Sequence, residues 1–188
     1  MNILLVNTTK MVGDTGGLAK VTSAFANEMH KRGHTVSVIY ADERSGDFFF
    51  PIDEDIKCYD VRLQNGKRIK YPLSLRLKRE FYRLFSKQKA RTVNSDFFYK
   101  YICPYMGKII KGIQPDIIVS FTPGTSKSLI IDLNLQDKVP IITMSHGNPE
   151  DYFDFYPVWI GLFLHLERVF LVKYPKYDLT IDIFLALE

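Results

Sequence analysis

Cysteine is nearly absent from this chain. Only Cys58 and Cys103 occur, without a Cys-x-x-Cys pair, so a disulfide framework is excluded and a reducing cytoplasm fits. Long apolar runs are missing too. None reaches the ~20 residues that span a bilayer. The nearest candidate, Phe155 to Leu164, is soon broken by His165, Glu167 and Arg168. Met1 leads into a strand-like run with no basic n-region, so the start does not read as a secretory leader. Low-complexity tracts and internal repeats are absent. Asn7-Thr-Thr9 matches a glycosylation sequon, but at the end of a first strand it reads as chance.

Hydrophobic residues make up 46% and charged residues 24% of the 188, which excludes disorder and allows one sizeable core. The net charge of +4 is too small to argue for nucleic acid. The chain finishes Asp178-Leu-Thr-Ile-Asp-Ile-Phe-Leu-Ala-Leu-Glu188, inside a strand-like run. Leu187-Glu188 reads as a cloning remnant before an affinity tag, against the plainer reading of a natural C-terminus. The expectation is one domain over 1–186, cut from a longer protein.

Hydrophobic period gives the element order. It predicts a strand at 2–7, a helix at 17–32 with Leu18, Val21, Phe25 and Met29 on one face, and a strand at 35–40. After an acidic, aromatic loop over 42–56, short strands at 57–63 and 67–71 face each other across Asn65-Gly66, a strong hairpin signal. Helices follow at 73–89 and 95–112. A strand over 116–121, a short helix to about 133, a strand over 139–144, a helix over 158–173 and a strand over 178–186 complete the chain. Alternating strands and helices predict an α/β fold: a doubly wound, mostly parallel sheet with helices on both faces.

Three loops then gather at the C-terminal edge of that sheet, where such folds bind ligands. The first carries Gly13-Asp-Thr-Gly16-Gly17 into the first helix. Free backbone N–H groups and the helix dipole there favour an anion, so a nucleotide or nucleotide-linked substrate is expected. The glycines alternatively serve only a tight turn and close helix packing. The second loop is Thr122-Pro-Gly124. The third is Ser145-His146-Gly147-Asn148-Pro149, where His146 is a candidate ligand contact and Glu150 and Asp151 candidate carboxylates, against the plainer reading of a structural histidine and ordinary turn acids.

This pattern resembles the N-terminal domain of the retaining glycosyltransferases of family 4, with the GT-B fold. Gly16-Gly17 with Leu18-Ala-Lys-Val21 resembles that family's Gly-Gly loop and first helix. Met29-His-Lys-Arg-Gly33-His34-Thr-Val-Ser-Val38 resembles its L-x-x-x-G-H-x-V-x-V segment. Pro115-Asp-Ile-Ile-Val119 resembles its Pro-Asp strand, and Ile141-Ile-Thr-Met-Ser145-His146-Gly147 its strand ending in His. Leu166-Glu-Arg168 through Tyr177-Asp178-Leu-Thr-Ile181 resembles the entry to its last N-domain strand.

The resemblance implies a Rossmann-like domain and transfer of a sugar from a nucleotide diphosphate donor to a glycan or lipid-linked acceptor, as in cell-surface polysaccharide or glycolipid synthesis. It implies no cofactor and no metal. Gly16 and Gly17 would approach the donor through their backbone and His146 would contact its sugar. Thr122, Gly147, Glu150 and Asp151 would complete the donor and acceptor site. The family's Glu-x7-Glu motif belongs to a C-terminal donor-nucleotide domain, and no Glu pair here has that spacing. The 188 residues alone are therefore expected to show no turnover. After Val119-Ser-Phe121 many relatives carry His, while this chain has Thr122-Pro123.

Between Lys67 and Arg91 lie ten Lys or Arg and one acid, Glu80. Leu73, Leu77, Phe81, Leu84 and Phe85 share one helix face. One reading is an amphipathic helix docked on the sheet. The other is peripheral contact with anionic membrane at its inner face through Lys67, Arg68, Lys70, Arg76, Arg79 and Arg83. Phe97, Phe98, Tyr99 and Tyr101 suit helical core packing better than base stacking, so no nucleic-acid partner is expected. Two rival functions remain: a dinucleotide-dependent oxidoreductase with Asp42-Glu43 as the ribose-binding acid, although G-x-G-x-x-G is lacking, and a non-catalytic sugar- or membrane-binding module.

Overall fold

Strands that are apolar at every position must be covered on both faces, and the first strand is of this kind. In the computed structural model, which describes residues 1–135, 137–145 and 170–173, β1 (Asn2–Asn7) is buried from Ile3 onward. Then come α1 (Gly17–Lys31), β2 (Thr35–Tyr40), β3 (Lys57–Asp60), and the two-residue strands β4 (Leu63–Gln64) and β5 (Lys67–Arg68). The helices α2 (Leu73–Phe85), α3 (Lys87–Phe97) and α4 (Cys103–Ile113) follow, and then β6 (Ile117–Ser120), α5 (Pro123–Lys127), β7 (Ile141–Ser145) and β8 (Phe170–Lys173).

Six strands form one parallel sheet in the order β3-β2-β1-β6-β7-β8. Chain order thus runs outward from β1 in one direction and from β6 in the other. This is the doubly wound, Rossmann-like arrangement, and its switch point lies between β1 and β6. Side chains alternate across the strands. Ile3, Leu5, Val36, Val38, Ile117 and Val119 pack on the face covered by α1. Leu4, Val6, Ile39, Ile118 and Ile141 pack on the face covered by α3, α4 and the segment after α5.

The first helix meets the sheet through small residues. Ala19, Thr22, Ser23 and Ala26 are its buried centre along with Met29, while Leu18, Val21 and Phe25 flank them. Gly33, at φ +85°, ends α1 in a conformation that favours glycine. Its N–H donates to the His30 carbonyl and that of His34 to the Met29 carbonyl, which closes the helix. The Pro-Asp motif has a structural reason. Asp116 accepts from the Asn2 N–H at 2.7 Å, and the Asn2 side chain donates to the Ile113 carbonyl at 2.8 Å. Together they tie the end of α4 to the start of β1. Asn7 is fully buried, which agrees with reading its sequon as chance.

Several expected boundaries move. The strand expected over 57–63 splits. Residues 57–60 join the main sheet beside β2, and the Arg62 N–H donates to the Asp60 carboxylate at 3.0 Å, turning the chain out of it. Only 63–64 and 67–68 pair across the Asn65-Gly66 turn, whose two residues have φ +50° and +73°. The helix break expected between 89 and 95 falls at Ser86, whose hydroxyl accepts from the Lys89 N–H at 3.3 Å as an N-cap. From Lys87 the chain stays helical to Ile113 through one widened turn at Phe98–Ile102. Pro104, just after it, has no N–H to give and would crowd a regular turn.

The apolar face of α2, expected to dock on the sheet as one of its two readings, is exposed. Phe97 is buried and Phe98 packs against the core, but Tyr99 and Tyr101 are exposed. Residues 170–173, expected at the end of a helix, form a strand, because the short Phe-Leu-Val run pairs with β7. The rest of that helix and the strand expected over 178–186 lie outside the described residues. Both cysteines are free, and burial pushes each thiol up to about 11.

The close approach of α1 has a checkable cost. Ala26→Leu should lower unfolding free energy by about 1–3 kcal/mol in denaturant melts. An unchanged midpoint would show that α1 does not pack this closely.

Candidate functional site

The loop after β1 is built around one carboxylate. Asp42, just beyond β2, is 1% exposed. One of its oxygens, Oδ2, accepts from the N–H groups of Met11 and Val12, both at 2.8 Å, and the other accepts from Arg44 N–H at 3.2 Å. Burial pushes this carboxyl upward, but the N–H groups of Val12, Met11, Arg44 and Glu43 outweigh burial and hold it below the ordinary 3.8. Behind it, Arg68 donates to the Asp42 carbonyl and to the Asp60 carboxylate, both at 2.6 Å. The hairpin β4–β5 is what carries Arg68 back to this point. In front, the Arg44 guanidinium donates to the Val12 carbonyl at 3.0 Å and the Gly13 N–H donates to the Asp47 carbonyl at 3.0 Å. Gly13, at φ +57°, is where the loop turns.

The loop held this way delivers an uncapped helix end to the switch point. Gly16 is the N-cap of α1, with no side chain capping the helix and no acid in its first turn. Its own N–H is taken by Asp14 Oδ1 at 3.1 Å. A Cβ at Gly16 would crowd that same carboxylate at 3.2 Å, but a Cβ at Gly17 would meet, among the described residues, nothing within 4 Å beyond its own neighbours and helix backbone. Neither residue has positive φ. The tight-turn and close-packing account of this pair therefore fails at Gly17, where the space is open.

Loops from both halves of the sheet meet here. The Thr8 and Thr125 hydroxyls are 2.6 Å apart, and Thr125 lies 2.8 Å from the Thr122 hydroxyl. Thr122 is the N-cap of α5, accepting from the Thr125 N–H at 3.2 Å. So hydroxyl contacts join the loop after β1, which leads on to Gly16 and Gly17, to the loop after β6, which carries Thr122. His146, Gly147, Glu150 and Asp151 lie outside the described residues. Thr8 and Thr125 were not singled out in the sequence; the Thr-Pro-x-Thr capping spacing is the signal that marks Thr125.

Asp42 does not suit a ribose. Its carboxylate is buried and occupied by three loop N–H groups, while Glu43 is exposed and pairs with Arg62 at 3.4 Å. Among the six basic residues, Lys67, Lys70, Arg76 and Arg83 are exposed. Arg79 is half-buried, bonded to Glu80 at 2.8 Å. Arg68 does not belong with them. Its side chain is 15% exposed and committed to Asp60, itself 6% exposed.

The fold and this edge define a Rossmann-like domain with an uncapped helix N-terminus at its switch point. The chain belongs to Glycosyltransferase Family 4, whose sequence profile matches residues 15–181. No curated protein matches it by sequence. Among solved structures it is similar to MurG of Acinetobacter baumannii, at 11% identity and TM-score 0.47, over 95% of this chain and 42% of that one. A glycosyltransferase from Rickettsia africae ESF-5 aligns at 14% identity and TM-score 0.45, over 92% and 42%. The Streptomyces sp. SF2575 glycosyltransferase SsfS6, complexed with thymidine diphosphate, aligns at 14% identity and TM-score 0.44, over 97% and 49%. The chain spans less than half the length of each.

Asp42→Asn should cost about 1–3 kcal/mol, because an amide presents an N–H₂ where two N–H donors converge. The sign with pH follows from the lowered pKa. Asp42 stabilises the fold above the ordinary carboxylate range, and this contribution is lost as pH falls through its folded value. Urea melts between neutral and acidic pH should show a smaller acid loss in Asp42→Asn than in the parent chain.

Proposed function

We propose that this chain is the acceptor-side half of a retaining glycosyltransferase. That enzyme moves a sugar from a nucleoside diphosphate sugar to a glycan or lipid-linked acceptor. The observation that carries the reading is the uncapped N-terminus of α1, with open space over Gly17 at the switch point. Main-chain N–H groups of Gly17, Leu18 and Ala19 point out of a helix that no side chain caps, so partial positive charge accumulates there. A diphosphate or a developing negative charge on a departing diphosphate is the anion that such an end stabilises. In a transfer of this kind positioning and electrostatics do most of the chemistry.

A second domain would supply the nucleotide-base site and the paired glutamates, and the donor would lie between the two. His146, directly after β7 in sequence, would contact the donor sugar. Gly147, Glu150 and Asp151 would line the acceptor side. No metal and no cofactor is part of this reading. The dinucleotide alternative is weakened by the buried, occupied Asp42 carboxylate.

The test is release of nucleoside diphosphate across a panel of nucleotide sugars by the full-length polypeptide that carries this chain. One donor should be turned over, and His146→Ala should abolish the release. Gly17→Ala separates ligand space from protein packing. The added methyl meets no other described residue and Ala favours a helix, so stability should hold or rise by up to about 1 kcal/mol. Activity should fall by about 10²-fold through displacement of the donor. Full activity in Gly17→Ala would remove the anion cradle from the mechanism.

A further inference from the structure

The second helix of the chain leaves its largest side chains in solvent. Leu73 is 69%, Leu77 65%, Phe81 59%, Leu84 80% and Phe85 74% exposed. At about 100° per residue these five fall within roughly 120° of one another, one continuous stripe. The opposite side of α2 faces inward. Leu75 packs against the core and the Arg79 guanidinium lies 5.3 Å over the Tyr71 ring. Lys78 borders the stripe on one side, and Arg76 and Arg83 border it on the other, where Glu80 also lies, paired with Arg83 at 3.4 Å. No described residue covers it. The charge distribution is lopsided in the same place. Residues 67–91 hold ten Lys or Arg against Glu80, whereas the remainder holds fifteen against twenty acids and is net negative.

Beside α2 lies a cavity of about 650 Å³ that none of the preceding chemistry uses. Its walls carry Arg62, Lys70, Arg76 and Arg79, with the rings of Tyr71 and Phe97, and Glu43 is its one acid. The two ring centroids lie 4.7 Å apart with the planes tilted by 49°, and the Arg62 guanidinium lies 5.5 Å over Phe97. Two lining residues hold buried polar atoms without a hydrogen-bond partner: Arg62 Nε and the Tyr71 hydroxyl. Such atoms are costly to bury unless something accepts or donates there. Lys70 and Arg76 make no ion pair among the described residues. Glu43 and Arg62 follow β2 and β3, which places that wall of the cavity beyond the C-terminal ends of those strands.

We infer that the apolar stripe of α2 docks on an anionic bilayer and that the adjoining basic cavity receives a phosphate-bearing lipid headgroup. An apolar stripe bordered by cations is the pattern of a helix lying in the membrane interface. Arg76 stands at the stripe's edge and also in the cavity wall, which sets the cavity at headgroup depth when the stripe is immersed. Docking is peripheral, since no helix among the described residues is long and apolar enough to cross a membrane. The acceptor of the proposed reaction is thereby narrowed to a lipid with phosphate in its head. That clause alone rests on the glycosyl-transfer reading; docking and headgroup binding do not.

The experiment is co-sedimentation of the 188-residue chain with vesicles of phosphatidic acid and phosphatidylcholine, against phosphatidylcholine alone. The chain should sediment with the first and not the second, and high salt should weaken the binding. Leu77→Glu with Phe81→Glu, both solvent-facing and checked for folding by circular dichroism, should lower partitioning at least about tenfold. Lys70→Gln with Arg76→Gln should lose about tenfold more affinity than the charge-matched Lys67→Gln with Lys87→Gln outside the cavity. Equal losses in these two pairs would overturn the headgroup site. Unchanged binding by the Glu pair, or binding only to oligonucleotides, would overturn docking. Calorimetry with inorganic phosphate separates the sources. Heat that is lost in Lys70→Gln with Arg76→Gln, without vesicle binding by the parent chain, would make the site one for free phosphate and overturn docking. Vesicle binding without sugar transfer by the full-length polypeptide would sink the enzymatic reading and leave docking standing.

Discussion

Desolvating a carboxylate is expensive unless hydrogen bonds replace the lost water, and Asp42 places that constraint at the centre of this fold. Its oxygens are satisfied only when Met11, Val12 and Arg44 present their N–H groups in one arrangement. The loop between β1 and α1 is thereby set, and the N-terminus of α1 arrives at the switch point in a defined position. Asp60 and Arg68 extend the same network to β3 and the small hairpin, which has little else to order it. A short turn with two positive-φ residues thus serves the site from a distance by returning one guanidinium to the edge of the sheet.

The two faces of the sheet solve different problems. Under α1 the contact is made by Ala, Ser and Thr, so the helix can sit close and its N-terminal N–H groups project beyond the sheet edge. On the other face larger side chains from α3, the widened turn and α4 fill the layer, including Phe97, Ile102 and Met106. The second helix belongs fully to neither. It rests on Leu75 and Arg79 and turns a stripe of Leu and Phe outward. No described residue covers that stripe, which leaves it a surface for something else.

Much of the fold was readable from period and punctuation. Near-continuous apolar strands, Gly33 at a helix end and Asn65-Gly66 at a turn each act locally, so their positions appear directly in the order of residues. The errors have a common origin. Whether 57–63 pairs with the hairpin or the sheet depends on Asp60, which joins the nearby Arg62 N–H to Arg68 and the Asp42 N–H, eight and eighteen residues away. Whether the apolar face of α2 is buried depends on how much sheet remains to cover. Neither quantity is written in a local window.

At the candidate site the same division holds. The Gly-Gly pair before an amphipathic helix, and the strands that place it, follow from backbone sterics and side-chain alternation, which are properties of neighbouring residues. That Asp42 is a loop anchor and unavailable to a ribose, that Arg68 leaves the basic face for Asp60, and that Arg62, Tyr71 and Arg79 enclose a cavity beside α2 are matters of three-dimensional placement. They depend on which groups lose their water together, and only the packed chain decides that.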